Sequence, residues 1–285
     1  MCLEKLNQTR AELARAAGTV WLKSRRRSLS LLLSGLMLCG VLREAASTAA
    51  QADHASPHTN EISLPEPLKA RRESLPVGFR KPAPESMTEL RGIEQHVKAL
   101  IRKVAPATVA VEVGGATGSG VVISSNGLVL TAAHVAGGPN RNVLFTFPDG
   151  KRVRGKTVGS DGDSDAGLMK IGEDGPWPFV PLGELATAKA GDWVLALGHP
   201  GGFDSRRSLV VRLGRLIRIR GDSLQTDCTI SPGDSGGPLF DMHGRVIGIH
   251  TTISGSMSDN FHVPIAEFYS QWDEIVPAAK KKEGT

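Results

Sequence analysis

The 285-residue sequence is poor in aromatic side chains, which make up 5% of its residues and include a single tyrosine. Proteins that bind single-stranded nucleic acid stack bases on aromatic side chains, and this composition offers few positions for such stacking. Scarce aromatics beside 33 glycines and 17 prolines favour short strands joined by tight turns over long helices.

Cysteine is also rare, with Cys2, Cys39 and Cys228 as its three occurrences. If an N-terminal export signal is removed, Cys228 remains alone and no intrachain disulfide can form. An exported domain of this kind must rest on its hydrophobic core, which about 190 residues can supply.

The net charge of +5 leaves no general basic footprint on the main part of the chain. Residues 1–52 hold eight Lys or Arg and three Asp or Glu, which account for the whole excess, while the remainder holds 26 of each sign. A local basic run, Arg212–Arg220, alternates with Leu and Ile, and we interpret it as a strand with a solvated face. We therefore expect no nucleic-acid partner.

Residues 1–52 have the layout of an export signal or membrane anchor. A basic block at Lys23–Arg27 precedes an apolar stretch, Ser28–Leu42, which is short for a membrane span. Small residues follow and end in an A-x-A cleavage pattern at Ala50–Ala52. We expect an exported protein, periplasmic or extracellular. The alternatives are an uncleaved segment that tethers the protein to a membrane and a soluble amphipathic helix.

The rest of the chain divides into a linker, a folded domain and a tail. Residues 53–86 are rich in Pro, Ser, His and charge and predict a flexible linker. Residues 87–276 predict the folded domain, and 277–285 a polar tail. Apolar residues at helical spacing predict a short helix over Met87–Lys103, and another helical pattern covers Pro264–Val276.

Between the two helices the pattern changes to short strands. The dipeptides Asn126-Gly127, Asp149-Gly150 and His243-Gly244 predict tight turns between such strands. This spacing favours an all-β barrel or sandwich. The predicted strands are Thr108–Val113, Gly120–Ser124, Leu128–Thr131, Asn142–Phe147, Trp193–Leu197, Leu209–Ile219, Pro238–Phe240 and Val246–Thr252.

Three local motifs carry the candidate chemistry: Leu130–His134 at the end of a strand, Asp165–Ile171, and Pro232–Leu239. A serine hydroxyl is a poor nucleophile at neutral pH, so peptide hydrolysis needs a base that takes its proton and returns it to the leaving amine. Histidine suits both steps, and a carboxylate fixes its tautomer. Closely spaced backbone N–H groups can stabilise the oxyanion.

These requirements assign Ser235 as nucleophile, His134 as general base and acid, and Asp165 as the orienting carboxylate. The N–H groups of Gly233 and Ser235 would form the oxyanion hole. Taken singly, each motif has a structural alternative: a histidine after a strand, an acid in a loop, or a plain glycine turn. The order His, Asp, Ser, with gaps of 31 and 70 residues, favours the joint interpretation. We expect no metal and no cofactor, because no His/Cys spacing fits a zinc site.

From about residue 104 to 264 the sequence resembles the trypsin-like domain of the HtrA (Deg) family of serine proteases. The resemblance implies two six-stranded β-barrels of the chymotrypsin type, about 104–190 and 191–265, with the triad in the cleft between them. The matching stretches are Gly118–Ile123, Leu128–Val135, Val194–Pro200, Gln225–Asp227 and Pro232–Leu239.

Three departures from the family pattern stand out. Members of the family usually carry PDZ domains after the protease domain; this sequence ends at Thr285, so we expect none. They usually have Asn before the nucleophile, whereas this chain has Asp234. In digestive relatives such an Asp pairs with a new N-terminus after zymogen cleavage; no activation site is evident here, so Asp234 needs another partner or water. The presumed activation loop, Gly201–Arg207, is polar and charged, and either orders on substrate binding or is a solvated loop.

The resemblance also places the pocket for the substrate residue before the scissile bond. HtrA proteases commonly prefer small aliphatic residues there. His250 and His262 occupy positions similar to histidines of glutamyl endopeptidases, so an acidic preference is the alternative; the other reading is that they are packed wall residues. The residues Thr251–Ile253 would pair with the substrate backbone as an added strand. The predicted substrate-binding residues are Thr229, Ile230, His250, Thr251, Thr252, Ile253 and His262.

Together these features predict an exported serine endopeptidase acting on misfolded or extracytoplasmic polypeptides. The alternative is a catalytically weak, protease-like chaperone or binding protein. HtrA relatives often trimerise through N-terminal segments, so the helix over Met87–Lys103 is a candidate for a homotrimer contact.

Overall fold

A computed structural model describes residues 74–186, 188–207, 209–253 and 259–275 of the protein. The predicted export signal, most of the predicted linker and the polar tail lie outside these residues. Among the helices within the described ranges, none has the length and apolarity that crossing a lipid bilayer requires.

The first six strands close into an antiparallel barrel in the order β1-β2-β3-β6-β5-β4. Strand β3 is buried at every position and pairs with β6, so that Ala132 lies opposite Ala166. This pairing brings the end of β3 next to the start of β6. The strands are β1 Thr108–Val113, β2 Ala116–Val122, β3 Leu128–Ala132, β4 Asn142–Thr146, β5 Arg152–Asp161 and β6 Ala166–Ile171.

The second six strands close into another antiparallel barrel, in the order β10-β11-β12-β9-β8-β7. A shift in the register of β11 against β12 falls between His250 and Ile253, where the pairing is irregular. The strands are β7 Trp193–Gly198, β8 Val210–Ile219, β9 Leu224–Thr226, β10 Pro238–Asp241, β11 Val246–Ile253 and β12 Asn260–Pro264.

The all-β prediction with two six-stranded barrels is confirmed. The turn dipeptides also lie where expected, and Gly127, Gly150 and Gly244 all have φ between 80° and 86°. Strands β5, β6, β9 and β12 were not predicted. Strand β5 carries two glycines and several charged residues, and β12 ends on a proline, so neither has a clear alternating apolar pattern.

Helix α1 (Met87–Val104) begins at Ser86, whose hydroxyl accepts a hydrogen bond from the backbone N–H of Glu89 at 3.2 Å. Its apolar face packs against the rest of the chain, and Ile93, Leu100 and Val104 are buried in the core. A Cβ added at Gly244, in the β10–β11 turn, would meet Leu100 at 2.9 Å, so the helix lies directly on the second barrel. Any subunit contact through α1 must therefore use its outer face.

The chain before α1 also packs on the second barrel, which differs from the flexible linker predicted up to residue 86. A short 3-10 helix, Val77–Phe79, buries Phe79 at 5.9 Å from the ring of Trp193. Arg215 stacks over Trp193 and donates to the carbonyl of Pro82 at 2.7 Å. The polar composition of this segment suggested a linker, but its one phenylalanine, Phe79, is buried against the barrel.

The remaining helical segments are short. A 3-10 turn, Ala105–Ala107, joins α1 to β1, and α2 (Ala133–Ala136) follows β3. Helices α3 (Ile265–Ser270) and α4 (Trp272–Ile275) follow β12, and α4 packs against β5 and β6 of the first barrel. The C-terminal segment thus crosses from the second barrel back to the first.

Candidate active site

His134 and Asp165 meet at the end of the β3–β6 pair. His134 lies in α2, a single turn that ends at Gly137 in the left-handed region. The carboxylate of Asp165 accepts hydrogen bonds at 3.0 Å from both Nδ1 and the backbone N–H of His134. Asp165 itself has a φ of 55°, an uncommon conformation for a residue other than glycine. The local backbone is therefore shaped to present this carboxylate to the imidazole.

The contact fixes the tautomer of the histidine. With its proton on Nδ1 directed at Asp165, the Nε2 atom of His134 carries the lone pair that a general base needs. The hydrogen bond with Asp165 raises the pKa of His134 above its ordinary value. Burial acts to raise the pKa of Asp165, but the hydrogen bonds from His134 and Thr251 outweigh it and hold that pKa below its usual value.

Thr251, on β11, connects this pair with the second barrel. Its hydroxyl donates to the carboxylate of Asp165, and its carbonyl accepts a weak hydrogen bond from Ser235 Oγ at 3.5 Å. We predicted Thr251 only as a substrate-binding residue, so its contact with Asp165 is a role that sequence reasoning missed. No local motif signals it, because the two residues are 86 positions apart.

Ser235 lies in a turn that packs against the first barrel. A Cβ added at Gly118 would meet the Ser235 carbonyl oxygen at 3.1 Å and the side chain of Val135, the neighbour of His134, at 2.7 Å. The turn of Ser235 and helix α2, which carries His134, therefore both lie next to Gly118 at the junction between the barrels. The Ser235 hydroxyl donates to Thr251 rather than to His134 in this structure; catalytic hydrogen bonds commonly tighten only when substrate binds.

Most backbone N–H and C=O groups of the turn around Ser235 form hydrogen bonds within the protein. The carbonyls of Pro232, Gly233, Asp234 and Ser235 each accept a hydrogen bond of 2.8 Å from within the protein. The N–H groups of Asp234 and Gly236 donate to Ser231 and His250. Within the described ranges, the N–H groups of Gly233 and Ser235 have no acceptor. They are the same two groups that the sequence assigned to the oxyanion hole.

Gly233 is required at its position by geometry. Its φ is 95°, and a Cβ there would meet the carbonyl oxygen of His199 at 2.8 Å. Any larger residue would push the turn away from the loop that follows β7.

Asp234, the residue before Ser235, has a protein partner that the sequence did not indicate. Its carboxylate is fully buried and forms a bidentate ion pair with Arg212, at 3.0 and 2.7 Å. The N–H of Ser231 donates to the same carboxylate at 2.8 Å. We interpreted Arg212 as part of a solvated strand face, and this was wrong for Arg212, because its guanidinium turns inward to Asp234.

The predicted pocket residues divide into exposed and buried groups. Thr229 and Thr252 are exposed, whereas Ile230 is buried and donates its N–H to the side chain of Asn260 at 3.0 Å. Thr251 and Thr252 lie in the irregular part of the β11–β12 pairing, followed by Ile253. On the other side, the pairing of β11 with β10 ends at Ile249.

His250 and His262 form a closed hydrogen-bonded chain inside the second barrel. His250 Nε2 lies 3.2 Å from the carbonyl of Leu197, so it must donate, and His250 Nδ1 then accepts from His262 Nδ1 at 2.9 Å. His262 Nε2 in turn accepts from the hydroxyl of Thr226 at 2.8 Å. All four ring nitrogens have protein partners, which supports the interpretation as packed wall residues over recognition of an acidic side chain.

Acid is expected to destabilise the fold through its buried histidines. Burial lowers the pKa of His199 to about 4 and that of His262 to about 3. Burial, together with His262 and Arg212, holds the pKa of His250 well below 6.5. These rings stay neutral when folded and take up protons when unfolded, so stability is complete above pH 6.5 and falls below it. Each contributes at most about 1.4 kcal/mol per pH unit.

Urea unfolding between about pH 7 and about pH 5 measures this slope. His134 has a raised pKa and acts in the opposite sense, with stability lost as pH rises through its folded pKa. His199→Leu should therefore show a shallower loss on acidification than the wild type. Stability that does not change over this range would contradict the prediction.

Two other features of the sequence have limited chemistry. Cys228 is buried, and burial raises the pKa of its thiol to about 12, so it is no nucleophile at neutral pH.

In the presumed activation loop, Arg207 donates to the carbonyl of Pro200, and the loop borders an open surface groove of about 640 Å³. Among the described residues no group of three or more His, Cys, Asp or Glu could hold a metal ion.

Comparisons with known proteins agree with this geometry. Residues 118–249 match the trypsin-like peptidase domain family. The chain is 33% identical over 265 residues to a DegP-like periplasmic serine endoprotease of Pseudomonas putida, covering 83% of this chain and 51% of that protein. In sequence and in fold, this chain is similar to HtrA-type trypsin-like serine proteases. The resemblance drawn from the motifs is thereby confirmed.

Other serine proteases give similar matches. The serine protease HhoA of Synechocystis is 38% identical over 158 residues, covering 52% of this chain and 40% of that protein. A serine endoprotease structure from Yersinia pestis superposes with a TM-score of 0.56 at 29% identity, over 64% of this chain and 66% of that one. The structure of the HtrA-type protease AlgW with a tripeptide gives the same score and identity, over 63% of each chain. The chain spans about half the length of the curated relatives it matches.

Proposed function

We propose that this chain is a serine endopeptidase that hydrolyses peptide bonds through an acyl-enzyme. The observation that carries the proposal is the turn at Ser235. Two of its backbone N–H groups, beside a serine hydroxyl and near a histidine oriented by a carboxylate, have no acceptor among the residues that the structure describes. Two unpaired donors in an otherwise saturated turn are what an oxyanion requires.

In the proposed reaction, Ser235 Oγ attacks the carbonyl carbon of the scissile bond while Nε2 of His134 takes the hydroxyl proton. The resulting oxyanion accepts hydrogen bonds from the N–H groups of Gly233 and Ser235. Collapse of the tetrahedral intermediate breaks the C–N bond, and His134 returns the proton to the leaving amine. Water then attacks the acyl-enzyme by the same route, with His134 again as base. Asp165 stays ionised and holds the imidazolium.

The proposed substrate lies as an added strand beside Thr251–Ile253. Strand β11 runs past its last pairing with β10 before it reaches these residues, and their pairing with β12 is irregular. An extended peptide could therefore pair with this backbone and bring a carbonyl to Ser235, which already contacts Thr251. The substrates of such a site are polypeptide segments in extended conformation, as misfolded or extracytoplasmic proteins would present.

We further propose that a small aliphatic residue precedes the scissile bond. Ile230 is a buried apolar residue of the predicted pocket, and both pocket histidines have their ring nitrogens hydrogen-bonded within the protein. An acidic side chain would have to displace one of these hydrogen bonds or remain unpaired, and either is costly. An aliphatic side chain requires no such partner.

Digestion of a peptide library by the purified protein tests both statements. We expect cleavage products in which Val, Ala, Ile or Leu is enriched before the cut, by roughly 10-fold over Glu and Asp, since pairing one buried polar group is worth 1–3 kcal/mol. Mass spectrometry of the products identifies the cleaved bonds. A sample inactivated by a serine-reactive fluorophosphonate is the matched control.

The two statements fail separately. A folded protein that cleaves no peptide under any condition would exclude the endopeptidase. Cleavage after Glu or Asp would leave the endopeptidase intact and would overturn the aliphatic preference, showing that the histidine pair opens on binding.

The proposed setting of this activity is outside the cytoplasm. The layout of residues 1–52 supports export, and the relatives from Pseudomonas putida are named as periplasmic. A membrane tether through the N-terminal segment and a homotrimer are further parts of the proposal. Both rest on the sequence and on the family resemblance.

A further inference from the structure

Ser119, on β2 of the first barrel, is fully buried and forms hydrogen bonds that cross to the second barrel. Its hydroxyl donates to the carbonyl of Gly233 at 2.8 Å and accepts from the backbone N–H of His199 at 2.9 Å. Its backbone N–H donates to the carbonyl of Ser235 at 2.8 Å. One serine therefore contacts both sides of the turn that carries the nucleophile.

These contacts restrict how the turn can rotate. Each peptide unit is planar, so anchoring a carbonyl fixes the orientation of that whole unit. The anchored carbonyls of Gly233 and Ser235 belong to the peptide units on either side of the unit that contains the Ser235 N–H. That N–H, which has no acceptor in the described part of the chain, lies between two fixed planes and has little freedom to turn away.

The hydroxyl also links the turn to a second loop. His199 precedes the loop after β7, and its carbonyl accepts from the N–H of Gly202 at 2.8 Å. In the same loop, the N–H of Gly201 donates to the carbonyl of Pro232 at 2.8 Å, which fixes the peptide unit that contains the Gly233 N–H. The Ser119 hydroxyl thus supports the Ser235 N–H through the Gly233 carbonyl. It supports the Gly233 N–H through His199 and the loop that follows it.

We propose that the Ser119 hydroxyl is a positioning group that aims the N–H groups of Gly233 and Ser235 at the substrate oxyanion. Ser119 does not touch the substrate in this scheme, and it lies on the barrel opposite to the nucleophile. The inference rests on the proposed peptidase function and adds to it that docking of the two barrels through this side chain helps to aim the donors of the oxyanion hole.

The Ser119→Ala variant tests the proposal, because it removes the hydroxyl and keeps the backbone hydrogen bond to Ser235. Loss of an entire oxyanion donor lowers kcat by about 10²–10³-fold, so loss of aim is expected to lower kcat by about 10- to 100-fold. KM should change by less than about threefold, since donors used only in the transition state do not contribute to substrate binding. A purely structural role would not produce this split.

Thr131→Val is the matched control. The buried hydroxyl of Thr131 donates to the backbone carbonyl of Ser119 at 2.9 Å, so this variant also loses one buried hydrogen bond next to Ser119. It leaves the bond between Ser119 and Gly233 in place. We expect a loss of thermal stability in both variants and a large loss of kcat in Ser119→Ala alone.

A peptide aldehyde gives a second readout, because it forms a tetrahedral adduct with a serine hydroxyl and places an oxygen in the oxyanion hole. Its inhibition constant should weaken in Ser119→Ala by about the same factor as kcat/KM. If Ser119→Ala does not fold, Ser119→Cys has a similar size with a weaker donor, and its kcat should also fall at little change in KM.

The outcomes separate the two proposals. An active wild type with undiminished kcat in Ser119→Ala, or in Ser119→Cys where only that variant folds, overturns the positioning role and leaves the peptidase function standing. Equal losses of kcat in Ser119→Ala and Thr131→Val also overturn it. A folded wild type without peptidase activity overturns both.

Discussion

Replacing either Ser235 or His134 by alanine is expected to lower kcat by about six orders of magnitude, and replacing both should lower it no further. The reason is that the hydroxyl is a nucleophile only while the imidazole takes its proton. Once one of them is absent, the other has nothing to act on. The remaining rate, about 10³–10⁴ above that in water, would come from peptide binding and the N–H groups of Gly233 and Ser235.

The double variant tests whether the two side chains act together as one catalytic unit. Hydrolysis of a good peptide substrate at saturating concentration measures kcat, and unfolding curves establish that each variant is folded. Cys228→Ala is the control, because this buried thiol is close to Ser235 in sequence and has no part in the proposed reaction. Losses that multiply in the double variant, or a His134→Ala protein with near-normal kcat, would contradict the assignment.

The sequence predicted those parts of the fold that short-range patterns determine. Turn dipeptides such as Asn126-Gly127 require a positive φ at glycine, and the continuous apolar run at Leu128–Ala132 is typical of a buried strand. Strand β5 escaped notice because its buried positions are interrupted by charges and glycines, and only its pairing with β4 and β6 makes it a strand. The closure into two barrels came from resemblance to a family, since no local pattern encodes it.

The candidate site shows the same division. His134 and Asp165 could be named in advance because His134 ends one recognisable motif and Asp165 begins another, and strand pairing brings the motifs together. The contacts of Ser119 with Gly233 and of Thr251 with Asp165 could not be predicted, because each joins residues more than 80 positions apart. From the sequence, a serine or threonine with a buried hydroxyl cannot be distinguished from any other serine or threonine in a strand. Its value depends on which carbonyl or carboxylate lies opposite, and that is decided only by the docking of the barrels.

Arg212→Met is expected to destabilise this domain by about 3–5 kcal/mol. The substitution leaves the carboxylate of Asp234 fully buried with the N–H of Ser231 as its remaining donor. Since small domains are stable by about 5–15 kcal/mol, this loss should be visible as a large shift of the urea midpoint. The turn that carries Ser235 should lose order at the same time, because Asp234 is its central residue.

A double-mutant cycle distinguishes the ion pair from simple loss of packing. Asp234→Asn removes the buried charge, so Arg212→Met in that background should cost less than about 2 kcal/mol, well below its cost alone. Asp234→Asn by itself should have an intermediate cost, since the side chain of Arg212 is 17% exposed and can gain some hydration. Equal costs of Arg212→Met in both backgrounds would show that the guanidinium stabilises the strand by packing alone. A cost that falls when the carboxylate is neutralised would show that charge compensation beside the nucleophile is what Arg212 provides.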